Sequence, residues 1–334
     1  MKQTFRHLAP LVAGLVVVAA VIVSLLAVYL PQDDDFQITV VLKSLDEEME
    51  FWEIVRAGIR TASQEHEVSP VIVGPSRERE ISEQVRIMED VVADRPDGII
   101  LAASDYEALS PLVDEAVEAG IEVITIDSGV ASDAPASFIA TDNLQAGEKA
   151  GRRIGELVGD RGRIVIVSHI EEVATAIDRE RGVYRGFEAT APGGEVVDTV
   201  VTDNVTEVAY EQTLELLRQH PSLDGVVALN EKTTIGAARA LRDAGAYEAV
   251  RLVGFDHSQE EIALLEEGII DALVVQKPFN MGYLGITNMV SSLEGETVDR
   301  FIDTGSELID RDNMYTPENQ RLLFPFAEST ASVR

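Results

Sequence analysis

The sequence predicts an α/β protein: two doubly wound lobes of parallel sheet, preceded by an N-terminal transmembrane helix. Three observations lead there. From residue 37 onward short β-branched runs alternate with helical patterns, the signature of βαβ units and parallel sheets covered on both faces. Nine such units exceed one compact sheet of ordinary size and favour two lobes. Before them, residues 9–30 form 22 consecutive positions without a charge, and roughly 20 apolar residues span a bilayer.

Taken in order, Lys2, Arg6 and His7 precede that uncharged run, and Asp33, Asp34 and Asp35 follow it. Basic residues before the span and acidic ones after it place the N-terminus inside and the bulk of the chain outside. The run is longer than the ~7–15 apolar residues of a secretory signal. No small-x-small cleavage site is evident near Ala27-Val28-Tyr29. An uncleaved anchor is therefore preferred to a cleaved signal.

Strands are expected at 37–42, 70–73, 97–101, 121–126, 162–167, 195–201, 223–229, 249–254 and 270–275. Helices are expected at 51–66, 80–94, 107–119, 143–158, 176–189, 206–219, 233–245, 259–267 and 280–293. Phe51, Ile54, Val55, Gly58, Ile59 and Ala62 recur at helical spacing and give the first helix an apolar face. Asp142 precedes the fourth helix as an N-cap. Gly120 and Gly245 stand where helices end on glycine.

Composition narrows the function. The 27 basic and 59 acidic residues give a net charge of −32, a field that repels phosphate backbones and argues against nucleic acid as a partner. Only five of the basic residues are Lys. There is no cysteine, which removes disulfides, thiolate metal sites and a lipid-modified N-terminal cysteine together. No metal or cofactor is expected.

Catalytic signatures are missing as well: there is no G-x-S-x-G, phosphate loop, H-E-x-x-H or complete G-x-G-x-x-G. Ser168 and His169 are adjacent on an extended run and point to opposite faces. Asp310-Arg311-Asp312-Asn313 opens like a calcium loop but lacks its glycine and closing spacing, and reads as an exposed turn. The chain is not expected to be an enzyme.

What recurs is a polar group at the exit of an apolar strand. Asp127 ends Ile121–Ile126, Asn230 follows 223–229, Asp256 follows Leu252-Val253-Gly254-Phe255, and Gln276 follows Ala272-Leu273-Val274-Val275. Each alone is open to two readings, a cap or turn former and a binding group at the carboxyl end of a strand, where open α/β sheets hold their ligands. Four such exits, drawn from both halves of the chain, favour a shared site.

These stretches also carry a resemblance. It rests on Phe51-Trp52, Asp97-Gly98-Ile99-Ile100, Ala116 to Ile121, Ile124-Thr125-Ile126-Asp127-Ser128, and Thr141-Asp142-Asn143 with Ala146-Gly147. Further on stand Asp178-Arg179-Glu180-Arg181-Gly182 with Gly186-Phe187, Leu229-Asn230-Glu231, Val253-Gly254-Phe255-Asp256, and Gln276-Lys277-Pro278-Phe279 with Met281-Gly282. As an ordered set over about 36–326 they resemble the type I periplasmic sugar-binding proteins, the ribose-, allose- and galactose-binding class that serves ABC importers.

The resemblance implies two lobes joined by a hinge: 36–140 plus 277–303, and 141–276 plus 304–326, with 1–35 as anchor and linker and 327–334 as a tail. It carries the ligand contacts onto Asp127, Arg179, Asn230, Asp256 and Gln276, with Phe51 and Trp52 as the aromatic pair. Carboxylates, a guanidinium and amides suit hydroxyls that both donate and accept, and aromatic rings suit the apolar faces of a sugar ring. Trp52 is preferred over Phe51 because the loop 45–50 before the pair is polar and expected to be exposed.

Ribose binders of this class carry an Arg after the first-lobe Asp, where this chain has Ser128; an Asn after the third strand is replaced by Ala102. The resemblance thus implies a sugar or polyol without naming it. It implies a monomer with its binding domain outside the cytoplasm, serving an ABC permease, or alternatively a membrane-anchored receptor presenting sugar to a sensor kinase or chemoreceptor.

Overall fold

The computed structural model describes residues 36–47 and 49–325. The expected membrane span at 9–30 and the 327–334 tail lie outside them. Among the described residues no helix is long and apolar enough to cross a membrane.

The first sheet contains β1 (Ile38–Val41), β2 (Val71–Val73), β3 (Gly98–Leu101), β4 (Glu122–Ile126), β5 (Ser137–Ala140) and β11 (Phe301–Asp303). Its order is β11-β5-β4-β3-β1-β2, parallel throughout. The second contains β6 (Arg163–Ser168), β7 (Glu195–Val201), β8 (Gly225–Ala228), β9 (Arg251–Phe255), β10 (Ala272–Gln276) and β12 (Ser306–Ile309). It repeats that order as β12-β10-β9-β8-β6-β7, with β12 alone antiparallel to its neighbour. Both sheets therefore wind outward from the first strand of their own half, and the strand order reverses beside β1 and beside β6, where crevices open at the carboxyl ends.

The helices are α1 (Glu50–Glu65), α2 (Ile81–Asp94), α3 (Ser110–Glu118), α4 (Asn143–Val158), α5 (Ala174–Thr190), α6 (Thr206–Gln219), α7 (Glu231–Asp243), α8 (Gln259–Glu267), α9 (Pro278–Leu293) and α10 (Pro317–Leu323). Alternation along the strands feeds two cores per sheet. In the first sheet Val40, Ile100, Ile124 and Ile126 pack with Val55 and Ile59 of α1 and Met281 and Ile286 of α9. Val41, Ile99, Leu101 and Val123 face Met88 of α2 and Val113 of α3. In the second, Ile164, Ile166, Val253 and Phe255 pack on α4 and α5, and Val165, Val167, Leu252 and Leu273 on α6, α7 and α8. Each such fully buried side chain stabilises by about 1.5–3 kcal/mol, and β3, β8 and β10, buried along their whole length, anchor the sheets.

Two helix pairs close to backbone contact. A Cβ added at Gly147 of α4 would stand 2.2 Å from the carbonyl oxygen of Arg179, and one at Gly182 of α5 would stand 2.2 Å from that of Leu144. Gly58 of α1 and Gly282 of α9 meet Phe279 O and Val55 O in the same way, at 2.1 Å. The first seam fixes the height of Arg179 over the second sheet.

Asp142 caps α4 by accepting from Gln145 N at 2.9 Å, and Gly120 and Gly245 end their helices with φ of 85° and 63°, as expected. Helix α3 begins three residues later than the pattern suggests. Asp105 Oδ1 accepts from Glu107 N and Ala108 N, a side-chain turn that competes with the first helical turn. Strands β5, β11 and β12 and the short α10 are additions to the expected set. The 310–313 segment is a turn in which Asp310 Oδ1 accepts from Asp312 N and Asn313 N.

Candidate interlobe binding site

The carboxyl ends of the two sheets face one cavity of about 20 Å³. Two aspartates mark matching places in its walls. Asp127, leaving β4, donates its backbone N–H to Ile139 O of β5; Asp256, leaving β9, donates its own to Val274 O of β10, both at 3.0 Å. Their φ values are 59° and 74°, in the left-handed region that Asp tolerates better than most residues. Turning there lifts each carboxylate off its strand and into the crevice.

Their surroundings differ. Asp127 Oδ2 lies 2.6 Å from Lys43 Nζ, both side chains being 5% exposed. Lys43 also donates to Ser128 Oγ at 2.5 Å. Thus a cation reaches the position after Asp127 from the exit of β1, although residue 128 is a serine. Asp256 accepts from Gln276 Nε2 at 2.6 Å and from Glu231 N, in the first turn of α7, at 3.1 Å. Burial pushes the Asp256 carboxyl above the usual carboxylate range; Arg179, Gln276 and the Glu231 N–H pull against it.

Arg179, buried on α5, donates Nε to Asn143 Oδ1 and Nη1 to Leu229 O at 2.8 and 2.7 Å. Its guanidinium lies 4.7 Å from the centre of the Phe255 ring, a cation–π contact. Asn230 caps α7 with Oδ1 and sends Nδ2 to Asn204 Oδ1 at 2.7 Å. It is a cap and a wall residue at once. Phe51 and Trp52 open α1 edge to face, with centroids 5.0 Å apart.

Opposite them, His169 contacts Thr175 Oγ1 through Nε2 at 3.3 Å. Burial first, then Arg179 and Lys43, hold it well below the ordinary histidine range, so the ring is neutral. Glu78 accepts from Trp52 Nε1 and from Asn204 Nδ2, each at 2.7 Å. Burial raises its pKa while Lys43 and the Trp52 bond lower it.

Further bonds join the two walls. Lys232 Nζ lies 2.7 Å from Asp46 Oδ2, Phe51 N donates to Glu231 Oε2 at 3.4 Å, Gln259 N to Glu50 Oε1 at 3.1 Å, and Tyr106 N to Glu172 O at 3.0 Å. Held this way, the wall residues nearly fill the space between them. A ring-sized ligand enters only if the walls part.

The family model of the periplasmic binding protein domain matches residues 38–297. This chain belongs to that family. The D-ribose/D-allose-binding protein of Pseudomonas aeruginosa is 27% identical over 299 residues, 85% of this chain and 91% of that protein. A carbohydrate transporter solute binding protein from Agrobacterium radiobacter, solved in complex with D-arabinose, superposes with a TM-score of 0.83 at 30% identity, over 87% of this chain and 100% of the other. An ABC transporter solute binding protein from Agrobacterium vitis with bound D-fucose gives a TM-score of 0.81 at 32% identity, over 86% and 99%. The two-lobe α/β architecture is the family's own.

In this periplasmic binding protein domain all seven residues singled out in the sequence, Phe51, Trp52, Asp127, Arg179, Asn230, Asp256 and Gln276, line the one cavity. Lys43, Met49, Glu78, His169 and Thr175 line it too and were not anticipated. Lys43 and His169 follow β1 and β6 and obey the strand-exit pattern already seen elsewhere. Glu78, Met49 and Thr175 sit in loops or at a helix start and give no local signal. The loop before the aromatic pair is only partly exposed as expected: Leu45 is 38% exposed, but Met49 is 3% and Trp52 1%, because the second lobe covers that end of α1.

Proposed function

We propose that this chain is an extracytoplasmic solute-binding protein that captures a sugar or polyol between its lobes, closes over it about a hinge, and delivers it to an ABC importer. One observation carries the reading: Gln276 Oε1 and His169 Nδ1 are buried on residues of the cavity wall and have no hydrogen-bond partner. An unsatisfied buried polar atom costs about 1–3 kcal/mol, which a ligand rich in hydroxyls removes. The aromatic pair suits the C–H face of such a ring. Relatives that bind D-ribose, D-allose, D-arabinose or D-fucose support the same class.

The seven anticipated wall residues are the proposed contacts. The proposed lobes are 36–140 plus 277–303 and 141–276 plus 304–326, crossed near 140, 276 and 304; membership of β11 in the first sheet and β12 in the second supports the last crossing. Residues 9–30 are the proposed anchor of a monomer. A second reading, a membrane-anchored receptor presenting its closed form to a sensor kinase or chemoreceptor, is favoured by that uncharged run in a chain without cysteine.

Calorimetry of the full-length chain in detergent against pentoses, hexoses, polyols and amino sugars tests the assignment. Binding by at least one member is expected; silence of the whole panel at millimolar concentration sinks it.

A further inference from the structure

Trp52 Nε1 and the backbone N–H of Thr233 can only donate hydrogen bonds, and a continuous chain of bonds runs between them across the cleft. Trp52 Nε1 donates to Glu78 Oε1 at 2.7 Å. Asn204 Nδ2 donates to Glu78 Oε2 at 2.7 Å, Asn230 Nδ2 to Asn204 Oδ1 at 2.7 Å, and Thr233 N to Asn230 Oδ1 at 3.1 Å. Trp52, Glu78, Asn204 and Asn230 are all buried, at 1%, 7%, 7% and 3% exposure.

The relay has a parity requirement. An amide accepts at oxygen and donates at nitrogen, so each asparagine passes the direction of bonding along unchanged. With obligate donors at both ends, one member must accept on both sides. A carboxylate does that with one oxygen turned to each side and no donor of its own, and Glu78 is the sole carboxylate in the relay. Its bond to Asn204 is also the step at which the relay crosses from one lobe to the other.

We propose that Glu78 is a positioning residue of this site: as the double acceptor it sets the polarity of the relay, fixes the Trp52 ring at the cavity wall, and ties that wall to the opposite lobe in the closed form. The proposal rests on the binding reading above and adds to it a residue that orders the aromatic contact. In Glu78→Gln the side chain keeps nearly the same shape but presents one donor, and donor then meets donor somewhere along the relay. Adding Asn204→Asp moves the double acceptor one place: the amide at position 78 accepts from Trp52 and donates to the carboxylate at position 204, which also accepts from Asn230. Residue 204 has φ of 55°, which Asp adopts as readily as Asn, and the double change preserves total charge.

Trp52 is the chain's single tryptophan, so its fluorescence reads the relay directly. Acrylamide quenching of the full-length protein is measured with and without D-arabinose for wild type, Glu78→Gln, Asn204→Asp and the double variant. Each single variant is expected to raise the quenching constant about two-fold or more as open forms gain population, and to weaken D-arabinose binding about ten-fold. The double variant is expected to return towards wild type in both. Wild-type quenching in Glu78→Gln under both conditions overturns the proposal, and so does a double variant as exposed as the singles. Should wild type bind no sugar, the sugar assignment fails by itself, and the ligand-free quenching series still decides on Glu78.

Discussion

Lys43 and Asp127 form an ion pair of 2.6 Å whose two side chains are each 5% exposed. Taken as a ligand contact alone, Asp127 predicts that Asp127→Ala lowers affinity and leaves the ligand-free protein as stable as before. The pair changes that expectation. Removing one member of a buried pair strands the other charge and costs about 3–5 kcal/mol. Asp127→Ala is therefore expected to lower the ligand-free melting temperature as well as to weaken sugar binding ten-fold or more, about 1.4 kcal/mol. A Lys43→Met, Asp127→Leu double variant should recover stability and still not bind. Thermal denaturation beside calorimetry checks both, and a single variant that melts like wild type contradicts the account.

Glu231 supplies a pH dependence. Burial first, then the Asp256 carboxylate, raise its pKa from 4.5 to about 8, against the pull of the Phe51 N–H. The folded chain thus holds a proton there that the unfolded chain releases. That contribution to stability is complete below the unfolded pKa of 4.5 and is lost as pH rises through about 8. Melting temperature should fall between pH 4.5 and about pH 8 and level off above it, and Glu231→Gln should lessen that slope. An unchanged slope in the variant would place the dependence elsewhere.

The Gly147 seam predicts an effect on binding from a residue that touches no ligand. Its missing Cβ would lie 2.2 Å from Arg179 O, so Gly147→Ala must push α5 away from α4. Overpacking of this kind costs about 1–3 kcal/mol, and Arg179 moves with its helix. Lower melting temperature and several-fold weaker affinity are expected together, measurable by calorimetry; weaker stability with untouched affinity would separate Arg179 from the seam.

Across the cleft mouth, Lys232 and Asp46 pair at 2.7 Å with side chains 21% and 18% exposed. A partly exposed pair contributes about 0.2–1 kcal/mol. Lys232→Gln should accordingly speed ligand release by up to about five-fold with little change in association rate. Stopped-flow measurement distinguishes this from an effect on capture.

Much of this site is legible in the sequence because the exits of buried parallel strands are short-range features: Asp127, Asn230, Asp256 and Gln276 each follow an unbroken apolar run. The same pattern holds at Lys43 and His169, but Lys43 stands two residues past β1, and His169 beside Ser168 draws attention as half of a nucleophilic pair. Glu78 is illegible. Its loop, Ser76-Arg77-Glu78-Arg79-Glu80, is charged and reads as solvent-facing; its buried partners, Trp52 and Asn204, are both distant in sequence. Strands β5, β11 and β12 escape notice for a related reason. They are three or four residues long, and partners distant in sequence define them.

The glycine seams have a mechanical consequence. Where Gly147 and Gly182, or Gly58 and Gly282, bring backbone against backbone, helices lack the deformable side-chain layer that lets neighbours slide. Each lobe is thereby stiff, and compliance concentrates in the three proposed crossings. Under the proposed function such a molecule is a clamp with one soft coordinate: work done by a captured solute goes into jaw angle and is not dissipated as internal rearrangement, and the proposed importer reads occupancy from the spacing of two rigid surfaces.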